Sequence, residues 1–270
     1  MIVERQQPVL ADEDFQFIRD LMVDASGISL ADHKRSLVAG RLMPRLRALE
    51  LCSYADYVQK LKSPGHQDER RLLIDLLTTN ETSFFREPIH FEMLGRWVER
   101  QNRPLRFWSA AGSSGQEAFS IAMTLAEHCP HASWSIIGSD ISRRVMEQAR
   151  RAIYPMAQAS QVPPGWLERY CLRGIGVSEG LFRIAEPIRQ RVEFCEINLV
   201  QPLPASLGVF DVIFLRNLLI YFDSQRKRLI LEQLLERLRV GGLLFISHAE
   251  NVQGLALPLR AVQPSIFERL

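Results

Sequence analysis

Residues 105–117 have the sequence LRFWSAAGSSGQE, in which a short apolar strand leads through a turn of small residues into a helix. The glycines of the turn, Gly112 and Gly115, let the backbone approach a ligand closely in front of a helix N-terminus. The turn lacks the Gly-x-Gly-x-x-Gly spacing of dinucleotide-binding loops, and no Lys-Ser/Thr pair follows the glycines as in a phosphate-binding loop. The segment therefore predicts a strand-to-helix turn of an α/β sheet, and a plain turn without a ligand explains it as well.

Strands and helices alternate on the C-terminal side of this turn. Apolar runs predict the strands, and apolar residues at helical spacing predict the helices. The predicted order is strand 105–110, a helix that carries Phe119 and Leu125, strand 134–140, helix 142–152, strand 192–195, strand 209–215, helix 224–239 and strand 243–248. This order is typical of a doubly wound, mainly parallel sheet. Residues 166–187 interrupt the alternation with several glycines, and they predict a small β-hairpin subdomain.

The chain before residue 104 shows helical spacing only. One apolar stripe at residues 15–22 ends at Ser26-Gly27, and a second runs from Leu37 to Leu49. The second stripe contains Pro44, which costs about 3 kcal/mol in a helix interior, so we predict a break near Met43. The domains predicted are a helical domain at 1–77, an interdomain segment at 78–103 and an α/β domain at 104–270.

The charge balance excludes some classes of partner. The 270 residues include 33 Lys and Arg against 31 Asp and Glu, a formal net charge of +2, which is too balanced for binding nucleic acid or membrane over the whole surface. Any electrostatic partner must therefore bind a local patch.

Cysteine spacing and the N-terminal sequence point to the compartment. Cys52, Cys129, Cys171 and Cys195 form no Cys-x-x-Cys pair, so we predict neither a metal site nor a disulfide framework. The first fifteen residues carry acids where a signal peptide needs basic and then apolar residues, and no apolar run is long enough to span a membrane. We expect a cytoplasmic protein with no membrane insertion.

Asp140 ends the second predicted strand of the sheet. Ligands of such sheets lie at the carboxyl ends of the strands, and the two oxygens of an acid at this point match the vicinal hydroxyls of an adenosine ribose. A helix N-cap is an equally good explanation of Asp140. With the glycine turn, Asp140 suggests a nucleoside-bearing cofactor, without separating nicotinamide cofactors from S-adenosylmethionine.

Four segments resemble hallmark sequences of the CheR family of chemotaxis receptor methyltransferases. They are TTNETSFFREP at 78–88, WSAAGSSGQE at 108–117, FDVIFLRNLLIYFD at 210–223 and GGLLFISHAEN at 241–251. The resemblance extends from about residue 12 to residue 267. It implies a class I S-adenosylmethionine-dependent, Rossmann-like methyltransferase fold. It also implies methyl transfer to glutamate side chains of bacterial chemoreceptors in chemotaxis adaptation, which forms glutamyl methyl esters.

The resemblance also implies a set of site residues. Those that line the S-adenosylmethionine pocket are Asn80, Thr82, Arg86, Glu117, Asp140, Asn198, Leu199, Arg216 and Asn217. Asn80, Thr82 and Arg86 supply an amide, a hydroxyl and a guanidinium suited to the amino-acid end of the cofactor, although an interdomain loop with a surface arginine explains them without the resemblance. Tyr221 and Arg100 are implied near the transferred methyl, where the Tyr221 phenol would orient a carboxylate. The alternative for Tyr221 is a core tyrosine with a satisfied hydroxyl.

The implied reaction needs no general base. A glutamate side chain has a pKa of about 4.3 and is already ionised at neutral pH. The enzyme has to hold carboxylate, methyl and sulfur in line and exclude water, so positioning is the main contribution.

Two regions are candidates for binding the receptor. A basic window at residues 33–49 contains no acid, and by resemblance it docks on the receptor's cytoplasmic helices; a solvated helix face is the alternative. Its basic side chains are Lys34, Arg35, Arg41, Arg45 and Arg47. The predicted hairpin at 171–186, with a loop from Gly174 to Gly180, resembles an edge that captures a C-terminal receptor peptide by strand addition in some relatives, unless it is only a structural lid. We expect the enzyme to be a monomer.

Two other functions remain open from the sequence. A nucleic-acid methyltransferase would share the cofactor fold and a basic patch, but the segment after residue 214 lacks the Asn/Asp-Pro-Pro-aromatic sequence that holds a flipped base. We therefore expect no nucleic-acid partner. A non-catalytic receptor-binding adaptor would use the same surfaces without catalysis.

Overall fold

The computed structural model describes residues 8–270, and the chain divides into two compact units, Met1–Thr79 and Asn80–Leu270. Residues 80–103, which the sequence pattern placed in an interdomain segment, group with the second unit. Residues 1–7, which open the predicted helical domain and the stretch without signal-peptide character, lie outside the described residues. Across residues 8–270, no helix combines the length and apolar character that a membrane span requires.

The first unit is all-helical. Its helices are α1 (Asp12–Ser26), α2 (Arg35–Ala48), α3 (Tyr54–Lys62) and α4 (Gln67–Leu77). Gly27 ends α1 in the left-handed region, with φ of 74°, and its N–H donates to the Val23 carbonyl, which confirms the predicted stop. Their buried side chains form one core that includes Phe15, Ile18, Met22, Val38, Leu42, Leu46, Tyr54, Tyr57, Leu61 and Leu73.

The predicted break near Met43 is wrong, because α2 runs through Pro44 without interruption. Val38, Leu42 and Leu46 lie one turn apart on the same face of α2 and are buried on both sides of the proline. Burying side chains of this size contributes about 1.5–3 kcal/mol each, which together exceeds the cost of one proline. Packing of the helix face therefore outweighs the local propensity.

Three arginines of the basic window are held by the fold of the first unit. Arg41 Nη1 donates to the carbonyls of Leu77 and Thr78, at 2.8 and 3.0 Å, where α4 ends. Arg45 forms a two-pronged ion pair with Glu69, and Arg35 pairs with Asp12. Arg47, in contrast, is exposed.

The second unit contains a seven-stranded sheet with the order β6-β2-β1-β7-β8-β10-β9. Its strands are β1 (Leu105–Ser109), β2 (Trp134–Asp140), β6 (Val192–Glu196), β7 (Phe210–Phe214), β8 (Leu238–Phe245), β9 (Leu259–Gln263) and β10 (Ile266–Arg269). The first five are parallel, while β10 and β9 add antiparallel strands at one edge. The mainly parallel sheet is therefore confirmed, and the antiparallel edge was not predicted.

The helices of the second unit precede β1 or lie between the strands along the chain. They are α5 (Pro88–Val98), α6 (Gln116–His128), α7 (Arg143–Arg151), α8 (Trp166–Tyr170), α9 (Glu186–Arg189) and α10 (Ser224–Arg237). After β1 the chain builds outward to β2 and β6 and then continues in β7 on the other side of β1. The direction of winding thus changes between β1 and β7, the point at which open α/β sheets bind ligands.

A separate antiparallel sheet has the order β3-β5-β4 and consists of β3 (Ile153–Pro155), β4 (Cys171–Arg173) and β5 (Leu181–Ile184). We call it the small sheet. It contains the predicted hairpin, with Cys171 opposite Ile184, and gains β3 as a third strand from outside the predicted range. β4 lies at an edge of the small sheet.

Candidate functional site

The glycine turn after β1 is fixed at the carboxyl edge of the large sheet. The Ala110 N–H donates to the Phe214 carbonyl at 2.8 Å, and the Gly112 N–H donates to the Ser139 carbonyl at 2.9 Å. A Cβ on Gly112 would lie 2.5 Å from Ser109 Oγ. Gly115 has φ of 96°, and a Cβ there would lie 2.9 Å from the phenol oxygen of Tyr154. Neither position accepts a side chain, so the small residues keep the backbone accessible in front of α6.

Asp140 lies beside this turn at the end of β2. Its Oδ2 accepts from the Ser113 N–H at 3.1 Å, and its Oδ1 accepts from the Ser142 N–H at 3.0 Å. The N-cap of α7 is Ser142, which accepts from the Val145 N–H, so the capping explanation of Asp140 is wrong. The buried carboxylate instead ties the β1 turn to the exit of β2.

The loop that carries Asn80, Thr82 and Arg86 packs against the same turn. The Asn80 carbonyl accepts from Ser113 Oγ at 2.9 Å, and Arg86 Nη1 donates to the Glu81 carbonyl at 3.3 Å. We refer to residues 80–86 as the cofactor loop, because the resemblance predicts that they bind the cofactor. Its position brings Asn80 to the β1 turn, next to Asp140.

Phe84 and Phe85 anchor the cofactor loop. The Phe84 N–H donates to Gln161 Oε1 at 3.0 Å, and the Phe85 N–H donates to Ser120 Oγ at 2.9 Å. The ring centroid of Phe84 lies 4.9 Å from that of Tyr154 on β3 and 5.7 Å from that of Phe182 on β5. The loop is therefore joined to the small sheet by aromatic contacts.

A buried ionic cluster lies under the site, where one guanidinium faces two carboxylates. Arg216 follows β7, and its Nη1 lies 3.2 Å from Glu117 Oε2, while its Nη2 lies 3.1 Å from Glu87 Oε2. Ser109 Oγ donates to Glu117 Oε1 at 2.6 Å, and the Arg86 carbonyl also accepts from Arg216. Burial raises the pKa of the Glu117 carboxyl, although Arg216 and Ser109 act in the opposite direction.

This cluster fits a cationic ligand. With both Glu87 and Glu117 ionised, the cluster would carry one negative charge more than Arg216 balances, and the raised pKa of Glu117 shows that burial disfavours this state in the absence of a further cation. Within residues 8–270, Arg216 Nε is also buried without a hydrogen-bond partner, and Glu87 Oε2 is paired with Arg216 Nη2 by charge but not with the geometry of a hydrogen bond. An unbalanced buried carboxylate is costly, and an incoming ammonium group would offset that cost.

Asn217 and Glu250 join the exits of β7 and β8. Asn217 adopts the left-handed region with φ of 59°, and its Nδ2 donates to Ser247 Oγ at 2.8 Å. The carboxylate of Glu250 accepts the backbone N–H groups of Asn217, Leu219 and Ser247. Ser247 Oγ in turn donates to Glu87 Oε1 at 2.8 Å, which connects this loop pair to the ionic cluster.

Glu87, His90 and His248 bring three possible metal ligands within 4.8 Å of one another. Ser265 Oγ lies between the imidazoles, 3.0 Å from His90 Nε2 and 2.8 Å from His248 Nδ1. Burial lowers the pKa of His90 to about 4, and Arg216 adds to the effect. Because Arg216 already faces Glu87 and Ser265 already bridges the imidazoles, we interpret these side chains as a hydrogen-bonded chain beneath the site.

The remaining predicted residues fall into two groups. Asn198 and Leu199 follow β6 next to Asp140, whose carbonyl accepts from the Ile197 N–H at 3.0 Å, and Tyr221 ends a 3-10 turn that begins at Leu219. Arg100, in contrast, is exposed and precedes the amino end of β1, which separates it from the site by about 13 Å of strand. The structure therefore does not bring Arg100 to the site.

Sequence reasoning missed Glu87, Ser247 and Glu250. Glu87 and Glu250 occur inside the quoted segments at 78–88 and 241–251. Acids in predicted loops were a signal, but their partners lie far away in sequence, so spacing alone gave them no role.

Two family models match the chain in succession. The model described as the CheR methyltransferase all-alpha domain matches residues 13–78, and the one described as the CheR methyltransferase SAM binding domain matches residues 80–266.

Curated relatives match over most of their length. The chemotaxis protein methyltransferase of Escherichia coli (strain K12) is 42% identical over 248 residues, which covers 91% of this chain and 87% of that protein. That of Salmonella typhimurium is 41% identical and covers 93% and 88%. Chemotaxis protein methyltransferase 2 of Pseudomonas aeruginosa is 41% identical and covers 94% and 92%.

Proposed function

The chain belongs to the CheR family and is an S-adenosylmethionine-dependent methyltransferase of chemotaxis, and we propose that it methylates glutamate side chains of bacterial chemoreceptors. The product would be a glutamyl methyl ester. The structural observation that supports cofactor binding is the pair of carboxylates on Arg216 beside the β1 turn, which suits a cationic cofactor, and the resemblance of the four segments supports glutamate as the acceptor. Membership in the family sets aside the nucleic-acid methyltransferase.

In this proposal, the side chains around the turn each bind a different part of the cofactor. Glu117 would face the ammonium group, and Arg86, on the anchored loop, would pair with the carboxylate. Asp140 would accept the ribose hydroxyls, and Asn198 with Leu199 would border the adenine. Bound S-adenosylmethionine supplies a methyl group activated on a sulfonium.

Asn80 and Thr82 complete the proposed pocket from the cofactor loop, and Asn217 completes it from the exit of β7. Tyr221 ends the 3-10 turn that follows Asn217 and is half-buried, and the resemblance assigns its phenol to the acceptor carboxylate. The acceptor is ionised at neutral pH, and the work of the chain is to orient it and exclude water.

Receptor docking is proposed for the basic window of the first unit. Receptor segments that carry methylation sites are acidic, so a basic helix face would attract them. Arg47 is the exposed contributor, whereas Arg35, Arg41 and Arg45 also hold the helical unit together. This part of the proposal places the enzyme in the cytoplasm, where it would act as a monomer.

A second receptor contact is proposed at the small sheet. β4 is an edge strand, and Leu172, Ile175 and Val177 are exposed on or after it. A groove of about 300 Å³ lies across one face of the small sheet and is lined by residues of all three strands, including Ile153, Leu172 and Arg183. A C-terminal receptor peptide would add to this edge as a further strand, with residues 171–186 as the binding segment.

The test is transfer of a tritiated methyl group to purified chemoreceptor fragments, with and without their C-terminal tails. A glutamyl ester releases labelled methanol in mild alkali, whereas N-methyl groups do not. Fragments whose glutamates are replaced by alanine are the control. Alkali-stable label, or transfer to duplex DNA or RNA in place of receptor, would contradict the proposal.

Tyr221→Phe sharpens this test. We expect turnover to fall about tenfold while the affinity for S-adenosylhomocysteine stays unchanged, because the phenol is assigned to the acceptor and not to the cofactor. Asp140→Ala is the matched opposite and should weaken the cofactor and its product equally. Equal loss of cofactor affinity in Tyr221→Phe would make Tyr221 a wall of the pocket.

A further inference from the structure

Glu250 has no role in the proposed chemistry, yet its carboxylate is buried next to the site, with 9% of the residue exposed. Its Oε1 accepts from the Leu219 N–H at 2.7 Å. Its Oε2 accepts from the N–H groups of Asn217 and Ser247, at 3.1 and 2.8 Å. Burial raises the pKa of the Glu250 carboxyl, while these backbone hydrogen bonds act in the opposite direction.

The three donors lie at defined points of two loops. Leu219 begins the 3-10 turn that ends at Tyr221, so its N–H is one of the amides that such a turn leaves without an internal partner. Asn217 is in the left-handed region, an uncommon conformation for a residue with a side chain. Ser247 belongs to the neighbouring loop after β8. One side chain thus fixes the start of the turn, the left-handed Asn217 two residues before it and the adjacent loop.

We propose that Glu250 is a positioning residue for methyl transfer: it aims the Tyr221 phenol at the acceptor by holding the backbone of residues 217–219. The inference rests on the proposed role of Tyr221. Glu250 itself touches neither the cofactor nor the acceptor in this arrangement. It acts through the 3-10 turn.

The number of acceptor oxygens explains why a glutamate is needed. A carboxylate offers two acceptor atoms for three N–H groups, whereas a glutamine offers one oxygen and turns an NH2 group toward the remaining donors. If the single oxygen of a glutamine at position 250 keeps the hydrogen bonds from the N–H groups of Asn217 and Ser247, the N–H of Leu219 at the start of the turn loses its acceptor. Asn217 and Ser247 then stay in place, while Tyr221 loses its alignment.

Glu250→Gln is the first variant to measure. We expect turnover on receptor fragments to fall at least tenfold, with the KM for receptor and the Kd for S-adenosylhomocysteine changed less than threefold. Glu236→Gln makes the same change at an exposed position of α10 and should behave as wild type. Wild-type turnover in Glu250→Gln, or a rise in Kd equal to the fall in turnover, would overturn the proposal.

Fluorine NMR of protein labelled with 3-fluorotyrosine tests the alignment directly. The chain has five tyrosines, and Tyr221→Phe identifies the Tyr221 signal by its loss. Glu250→Gln should shift or broaden the Tyr221 signal and leave those of Tyr54, Tyr57, Tyr154 and Tyr170 unchanged. An unchanged Tyr221 signal would refute the positioning role.

A second variant covers the case in which Glu250→Gln does not fold. Glu250→Asp keeps the charge but is one methylene shorter, so it cannot reach both loops, and it should give the same Tyr221 shift. The measurements also separate the two proposals. Wild-type turnover in Tyr221→Phe would refute the proposed role of Tyr221, whereas the NMR signal tests the hold of Glu250 on the turn without any methylation assay.

Discussion

Two arginine–glutamate clusters, one in each unit, differ in the ratio of carboxylates to guanidinium groups. In the helical unit, Arg45 Nε and Nη2 donate to the two oxygens of Glu69 at 2.8 and 2.5 Å, and the Tyr57 phenol donates to Glu69 Oε1 at 2.9 Å. One cation therefore matches one anion. The hydrogen bond from Arg45 is the largest cause that lowers the pKa of Glu69.

In the sheet unit, Arg216 faces both Glu87 and Glu117, and burial raises the pKa of Glu117. The two clusters therefore differ in their role. The balanced cluster completes its own hydrogen bonds and serves the fold, whereas the unbalanced cluster is left to be completed by a ligand.

The largest effect is expected from opening the balanced cluster. Arg45→Ala leaves the Glu69 carboxylate without its cation and should lower the free energy of unfolding by about 2–4 kcal/mol, less than for a fully buried pair because 28% of the Arg45 side chain is exposed. Urea unfolding measures the change, and the affinity for S-adenosylhomocysteine should not change. Arg47→Ala, an exposed arginine on the same helix, should cost less than about 0.5 kcal/mol. A similar small loss in both variants would show that the Arg45 cluster does not stabilise the fold.

The unbalanced cluster should respond in the opposite way. Glu117→Gln leaves Arg216 paired with Glu87 alone, so the free energy of unfolding should not fall. Loss of a charged hydrogen-bond partner for the cofactor should raise the Kd for S-adenosylhomocysteine about 10- to 100-fold, or about 1.5–3 kcal/mol. Calorimetric titration checks this, with Glu236→Gln as the matched control. Unchanged affinity together with reduced stability would show that the Arg216 cluster, like the Arg45 cluster, serves the fold and not the cofactor.

The pH dependence of stability should differ in sign. Glu69 has a lowered pKa, so its contribution is present above the ordinary value of 4.5 and is lost as the pH falls below it. Glu117 has a raised pKa, so its contribution to stability is full below the ordinary value of 4.5 and is lost as the pH rises from 4.5 through the raised pKa. Unfolding measured between about pH 3 and 7 should therefore show a weaker acid-side loss in Glu69→Gln and a weaker loss on the rising side in Glu117→Gln. Identical pH profiles for the two variants would contradict the comparison.

The smallest effect concerns an arginine outside both clusters. Arg47→Glu should raise the KM for receptor fragments about two- to fivefold at low salt, because exposed charge pairs contribute only about 0.2–1 kcal/mol. Added salt should reduce the difference, and cofactor affinity should not change. Arg71→Glu makes the same charge change outside the basic window. Equal effects of the two variants would show that the basic window is a solvated helix face that does not bind the receptor.

Local patterns predicted much of the fold. Apolar runs and glycines at residues 105–117 predicted β1, its turn and α6, and Ser26-Gly27 predicted the end of α1. The break at Pro44 was wrong because burial of the α2 face on both sides of it is a tertiary effect that propensity does not contain. The strands β9 and β10 were missed because their pairing, β10 with β8 and β9 with β10, is set at the sheet edge and not by a strong apolar run.

The site was harder to predict because its contacts are distant in sequence. Glu117 meets Arg216 across 99 positions, and Asn217 meets Glu250 across 33. The resemblance predicted Glu117 and Arg216 as pocket residues, but it did not predict that they contact each other or that Glu87 also pairs with Arg216. It also suggested Arg100, which the order of α5 and β1 places at the opposite end of the strand.

The contact between the cofactor loop and the small sheet has a consequence for local unfolding. The Phe84 ring lies against Tyr154 and Phe182, and its amide is held by Gln161. The loop therefore cannot open far without exposing aromatic surface of the small sheet, so the two should behave as one cooperative unit in hydrogen exchange. The amide of Phe84 would then exchange at the rate of β3 and β5, and a peptide that tightened the small sheet would slow it.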